Sequence, residues 1–155
     1  MIQRIQTLYL LAITILGCLT CFMPLIEFTN ILDYGLLKAT GYNVSTVDPT
    51  HTIHDYFWGF LFISILVPVI SLITIGLYKK RMLQIRLTIL NILLQIGYYA
   101  VLGISIWFIY TKYEPIDYTL RIPIVFQLIN LVLSWLAIRG IGKDEAKVRA
   151  ADRIR

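Results

Sequence analysis

Cys18-Leu-Thr-Cys21 sets two thiols at i and i+3, a spacing that puts both on one face of a helix. A C-x-x-C inside an apolar segment is the arrangement a quinone-linked thiol oxidoreductase would use. That chemistry relays electrons through a second dithiol or an external thiol, and Cys18 and Cys21 are the only cysteines. Both fall deep in an apolar run, where a thiolate is costly, so small apolar packing is the better reading. His51-Thr-Ile-His54-Asp55 offers two imidazoles and a carboxylate, ligand types that zinc accepts. With no further ligand clustered beside them, they read as a solvated loop. GxxxxGK(S/T) and HExxH are absent, and no nucleophile–base pair is visible. The sequence therefore assigns no catalytic, cofactor or metal residue.

Four amides remain. Asn91 and Gln95 are i, i+4 on one apolar run, and Gln127 and Asn130 are i, i+3 on another. If both runs are helices, Gln95 and Asn130 lie roughly 10–12 Å from the same end at 1.5 Å per residue. The spacing predicts that they meet across an antiparallel pair. Such contacts act as glue between helices and average about 0.6 kcal/mol. A transport path is the competing reading, but no Asp, Glu, Lys or Arg lies within these runs, and pumps generally need one. Gly97, Ala100 and Gly103 add a stripe of small residues suited to close packing within a bundle or against a partner.

The elements that must carry these residues follow from charge-free stretches. Residues 5–26, 57–78, 87–110 and 122–138 contain no Asp, Glu, Lys or Arg. About 20 apolar residues of helix span a bilayer core, with a range of roughly 17–25. In lipid the backbone must satisfy its own hydrogen bonds, which selects helices. Composition agrees, since 58% of the 155 residues are hydrophobic and only 15% charged. A soluble domain has about 45–50% and ~25%. The fold expected is an all-α integral membrane bundle of four helices in a single domain.

Charge placement orients it. With the N-terminus inside, the inner segments hold Arg4, Lys79, Lys80, Arg81, Arg86, Arg139, Lys143, Lys147, Arg149, Arg153 and Arg155, eleven of the fourteen basic residues. The outer segments hold only Lys38, Lys112 and Arg121. Both termini are thus predicted to be cytoplasmic, and the net charge of +5 reads as a membrane signature rather than a nucleic-acid surface. Tyr56, Phe57, Trp58, Trp107, Tyr110, Tyr113 and Tyr118 collect at the outer boundary, as interfacial aromatics do. Ile15-Leu-Gly-Cys18 half-resembles a lipoprotein cleavage box, but the apolar run continues to Ile26, which favours an uncleaved signal-anchor helix.

The connection 27–56 is the one extramembrane segment large enough to fold, and Phe28–Tyr42 predicts a short β-hairpin there. Pro115 breaks the chain between the last two helices, and Pro123 falls in a first helical turn, where proline is tolerated. After residue 138, Arg139-Gly-Ile-Gly-Lys143 is expected to break the helix ahead of a cytoplasmic tail, 139–155. Asp144/Lys147 and Glu145/Arg149 are spaced for helical ion pairs. Lys143, Lys147, Arg149, Arg153 and Arg155 mark the tail as the contact for anionic headgroups or a partner.

Met1-Ile-Gln-Arg-Ile-Gln-Thr-Leu-Tyr-Leu-Leu11, Lys79-Lys-Arg-Met-Leu-Gln-Ile-Arg-Leu87 with Asn91, and the run Ala137–Arg155 resemble a domain-of-unknown-function family of small four-helix inner-membrane proteins found in Bacteroidota. The resemblance covers essentially the whole chain and is weakest in 27–56. It implies the same topology in a bacterial inner membrane and no activity. Two functions are therefore expected to compete. The first is a non-catalytic accessory or assembly subunit of an inner-membrane complex, with a membrane-protein partner or a second copy. The alternative is a small transporter or a lipid- or quinone-handling protein.

Overall fold

The computed structural model describes residues 5–29, 33–46, 52–77, 80–113 and 115–152, with the side chains of 33, 46, 52, 53 and 145–152 left out. Its elements run α1 (Ile5–Phe22), β1 (Ile26–Thr29), β2 (Asp33–Lys38), β3 (Gly41–Thr46), β4 (Thr52–Tyr56), α2 (Trp58–Gly76), α3 (Arg81–Tyr113), β5 (Asp117–Leu120) and α4 (Pro123–Asp152). Among the described residues, four helices are long and apolar enough to cross a membrane.

The all-α expectation with a lone hairpin is overturned. The connections between helices build a five-stranded antiparallel sheet in the order β4-β3-β2-β1-β5. Its first four strands come from the α1–α2 connection, and β5 comes from the α3–α4 connection to pair with β1, Phe28 opposite Tyr118. The reason is period-two burial: Ile26 and Phe28 point inward while Glu27 and Thr29 do not, and Leu37, Tyr42 and Val44 continue that inward face. Ala39-Thr40 is the two-residue turn between β2 and β3. Gly41 follows it at φ 148, and a Cβ there would stand 2.1 Å from the Asp55 carbonyl oxygen. At Gly35 a Cβ would meet the Tyr42 hydroxyl at 1.9 Å, because that ring lies across the glycine from the next strand.

Helix boundaries shift for physical reasons as well. The run 5–26 is not one helix: α1 stops at Phe22 and Pro24 separates it from β1. Arg139–Lys143 does not break α4, which continues to Asp152. A helical glycine costs only about 1 kcal/mol, and Gly140 lets Gln6 of α1 pack closely against α4. Pro123 opens α4, as its fixed φ favours.

The helices form a ring in which α1 packs on α2 and α4, and α3 packs on the same two neighbours. On α3 the buried residues are Gln84, Thr88, Asn91, Gln95, Tyr98, Leu102, Ser105 and Ile109. Their alternating steps of four and three are the 3.5-residue repeat that keeps one seam turned to the neighbouring helices. Pro123, Gln127, Asn130, Ser134, Ala137 and Ile141 repeat the pattern on α4. The seams are largely polar while Leu8, Phe22, Phe62, Leu72, Leu93 and Trp107 stand exposed. The bundle has its polar side inside and its apolar side out.

A larger apolar core lies where sheet meets bundle: Leu25, Phe28, Leu37, Tyr42 and Val44 pack with Phe60, Tyr98, Leu102 and Ile109. A smaller one, Leu10, Ile13, Val67 and Ala137, closes α1 against α2 and α4.

Candidate functional site: polar interior, sheet seam and basic end

All four amides singled out above are buried, none more than 1% exposed. Gln95 and Asn130 do not bond one another. Gln95 Nε2 donates to Ser134 Oγ across α3 and α4 at 3.0 Å. Asn130 Nδ2 donates to Gln127 Oε1 one turn away on its own helix at 3.2 Å. Both amide atoms of Asn91, with Gln95 Oε1, Asn130 Oδ1 and the Tyr98 hydroxyl, have no hydrogen-bond partner among the described residues. An orphaned buried polar atom costs roughly 1–3 kcal/mol, so this layer is held at a cost the rest of the bundle offsets.

Sequence reasoning missed most of the interior's polar lining. Gln84 Nε2 donates to the Thr74 carbonyl at 3.0 Å and Ser71 Oγ to the Leu10 carbonyl at 2.8 Å, joining α3 to α2 and α2 to α1. Ser64, Thr74, Thr88 and Ser105 turn their hydroxyls back onto carbonyls four residues earlier. The available signal was small polar residues at steps of three and four inside apolar runs.

The thiols are apart in role. Cys21 donates to the Ser64 carbonyl at 3.3 Å, and Cys18 is exposed. Both line an apolar groove of about 290 Å³ between α1 and α2, beside the contact of Gly17 with Pro68. Of the imidazole pair, His51 lies outside the described residues. His54 and Asp55 lie on strand β4 rather than in a loop; His54 Nδ1 is 2.6 Å from Asn43 Oδ1. Asp55 accepts from Lys112 Nζ at 2.6 Å and from the Tyr113 hydroxyl at 2.7 Å. Among the described residues no three His, Cys, Asp or Glu side chains gather as a metal site.

Two ion pairs hold the sheet, Lys112–Asp55 to the α3 end and Arg121–Glu27 to the connection that leads into α4. Lys112 and Tyr113 hold the Asp55 carboxyl below its usual range, the Lys112 bond being the larger cause. Glu27 on β1 accepts from the Tyr34 hydroxyl of β2 and from Arg121 just past β5. Those bonds, Tyr34 first, lower the Glu27 carboxyl, and Glu27 in turn raises Tyr34 and Arg121. The three outer basic residues counted from sequence include both cations of this seam.

At the opposite end, Gln6 Nε2 donates to Asp144 Oδ2 at 2.6 Å and Arg81 donates to the Asp144 carbonyl at 3.2 Å. The α1, α3 and α4 ends thereby share one basic surface. Lys143 is exposed at a groove between α1 and α4. Lys147 and Arg149 sit on the helical backbone of α4, but their side chains, like Arg153 and Arg155 entirely, lie outside the described residues, as do the pairs expected with Lys147 and Arg149. The stripe Gly97, Ala100 and Gly103 faces away from the bundle: nothing stands within 4 Å of a Cβ at either glycine.

The architecture is thus a four-helix bundle with a polar interior, capped at one end by an antiparallel sheet. Residues 2–154 match the family described as Domain of unknown function (DUF4293), so the chain belongs to that family. None of the curated proteins matches it.

Proposed function

We propose that this chain is a non-catalytic integral membrane protein of a bacterial inner membrane, with both termini cytoplasmic, that serves as an accessory or assembly subunit of a larger complex. The observation that carries the reading is the inverted bundle: amides and hydroxyls fill the seams while large apolar side chains face outward. In a bilayer the outward face is solvated by lipid and the interior is joined by hydrogen bonds. The sheet, tied to α3 through Asp55 and Lys112, gives the outer side a fixed surface, and the unpacked Gly97–Gly103 face leaves room for a neighbouring helix. The basic end matches the cytoplasmic side by charge, and the resemblance to a Bacteroidota family supports a bacterial inner membrane.

The test is a mild-detergent pull-down of the tagged native protein with mass spectrometry, run beside a form ending at residue 146, which keeps the Asp144 contacts. A stoichiometric membrane partner supports the reading, and its loss on shortening assigns the contact to residues 147–155. A partner-free protein overturns it. The α1–α2 groove, wholly apolar and open to the side, favours lipid or quinone handling as the second reading. Liposome flux or a co-purifying apolar molecule would carry that one.

A further inference from the structure

We propose that the groove between α1 and α4 at the basic end binds one anionic phospholipid, with its phosphate between Arg139 and Lys143 and an acyl chain along Ile5, Tyr9 and Leu136. The inference rests on the membrane reading and not on the accessory-subunit reading. The groove measures about 280 Å³. Gly140 lines it at a close approach to α1, where a Cβ would stand 2.9 Å from Gln6 Cγ.

Three features select the occupant. Arg139 and Lys143 are i, i+4, so two like charges share one face of α4 and repel unless an anion lies between them. The carboxylate in the groove, Asp144, accepts from Gln6 at 2.6 Å, and the Arg81 guanidinium approaches the same turn, so among the described side chains cations outnumber carboxylates around it. The Arg139 guanidinium lies 5.6 Å from the Trp135 ring, an arrangement that holds it at the level where the apolar face of α4 ends.

A free phosphate would satisfy the cations but make no contact with the apolar floor. Ile5 is 64% exposed there. A phospholipid meets both halves, since its headgroup sits at interfacial depth and its chain lies below. The preference is for a net negative headgroup, because a zwitterionic lipid brings its own cation to a site already cationic.

The experiment titrates the purified full chain in mild detergent with phosphatidylglycerol, phosphatidylcholine or inorganic phosphate, reading bound lipid by native mass spectrometry and Tm in parallel. Phosphatidylglycerol should be retained in preference to phosphatidylcholine and should raise Tm, while phosphate alone should not. Arg139→Gln with Lys143→Gln should weaken retention roughly fivefold for each cation removed. Lys80→Gln with Arg86→Gln removes the same charge from the same end outside the groove and should retain lipid normally. Equal loss in both double variants reduces the effect to general surface charge and overturns the proposal. So does equal retention of the two lipids, or a phosphate response matching that of phosphatidylglycerol. Should the first double variant fail to fold, exposed Lys143→Gln alone carries the same comparison. The partner pull-down reads independently of all these outcomes.

Discussion

Arg121, one residue past β5, donates to Glu27 on β1 and so joins the α3–α4 connection to the α1–α2 connection at one edge of the sheet. With Lys112–Asp55 it makes the sheet part of the bundle rather than a separate cap. Both carboxyls are held below their ordinary values of 4.5 and 3.8. A carboxyl lowered by folding stabilises the folded form fully above its unfolded value, and that contribution disappears as pH falls through its folded value. The sheet seam should therefore be at full strength at neutral pH and loosen below about pH 4. Hydrogen exchange of β1 and β5 amides against pH checks this. Arg121→Gln should loosen the same strands at pH 7 and flatten their acid response, while amides of the α4 seam stay protected.

Asn91 and Gln95 make opposite predictions although both are buried amides on one seam. Gln95 has a partner, so Gln95→Leu leaves Ser134 without its donor and should lower stability by about 0.6 kcal/mol, at most about 1.7. Among the described residues Asn91 has none for either amide atom. Replacing an unsatisfied amide with an apolar group of like size should leave stability unchanged or raise it. Thermal unfolding in one detergent ranks the two. An Asn91→Leu protein that is stable but inactive in cells would assign the amide to function rather than packing.

Gly35→Ala tests the sheet core. The new methyl would fall within 3 Å of three atoms of the Tyr42 side chain, its hydroxyl and two ring carbons, forcing the ring off the glycine. Overpacking of this kind costs about 1–3 kcal/mol. Gly59→Ala, with nothing within 4 Å, is the matched control and should be near neutral. Chemical unfolding followed by tryptophan fluorescence should separate them.

Charge-free length made the four helices legible, and lysine and arginine placement marked the end where Gln6, Arg81 and Asp144 meet. The sheet was harder to see. Pro24 sits within an otherwise apolar run, so Leu25 and Ile26 read as helix although they continue into β1. β5 has four residues, all exposed, and pairs with a strand some ninety positions away; no local pattern announces such a pairing. The buried amides were legible as polar breaks in apolar runs, but their partners were not. Ser134 is short, common in helices and unremarkable until the α4 seam turns it toward Gln95. The contact that α4 makes with Gln6 at Gly140 crosses most of the chain, so no local pattern announces it.

The glycines also divide by what they touch, which sets a last prediction. Gly17 meets Pro68, with a Cβ there 3.2 Å from the proline Cβ, whereas Gly97 and Gly103 meet nothing. Gly17→Leu should push α1 from α2, shift the smaller apolar core around Leu10 and Val67, and cost about 1–3 kcal/mol. Gly97→Leu with Gly103→Leu should leave unfolding of the isolated protein within about 0.5 kcal/mol of the parent, as outward substitutions usually do. Under the accessory-subunit reading, a partner helix lies close over those two glycines, so the outward pair should abolish co-purification at unchanged stability. A partner retained by the Gly97/Gly103 variant would move the contact to the sheet or to residues 147–155, which the form ending at residue 146 then separates.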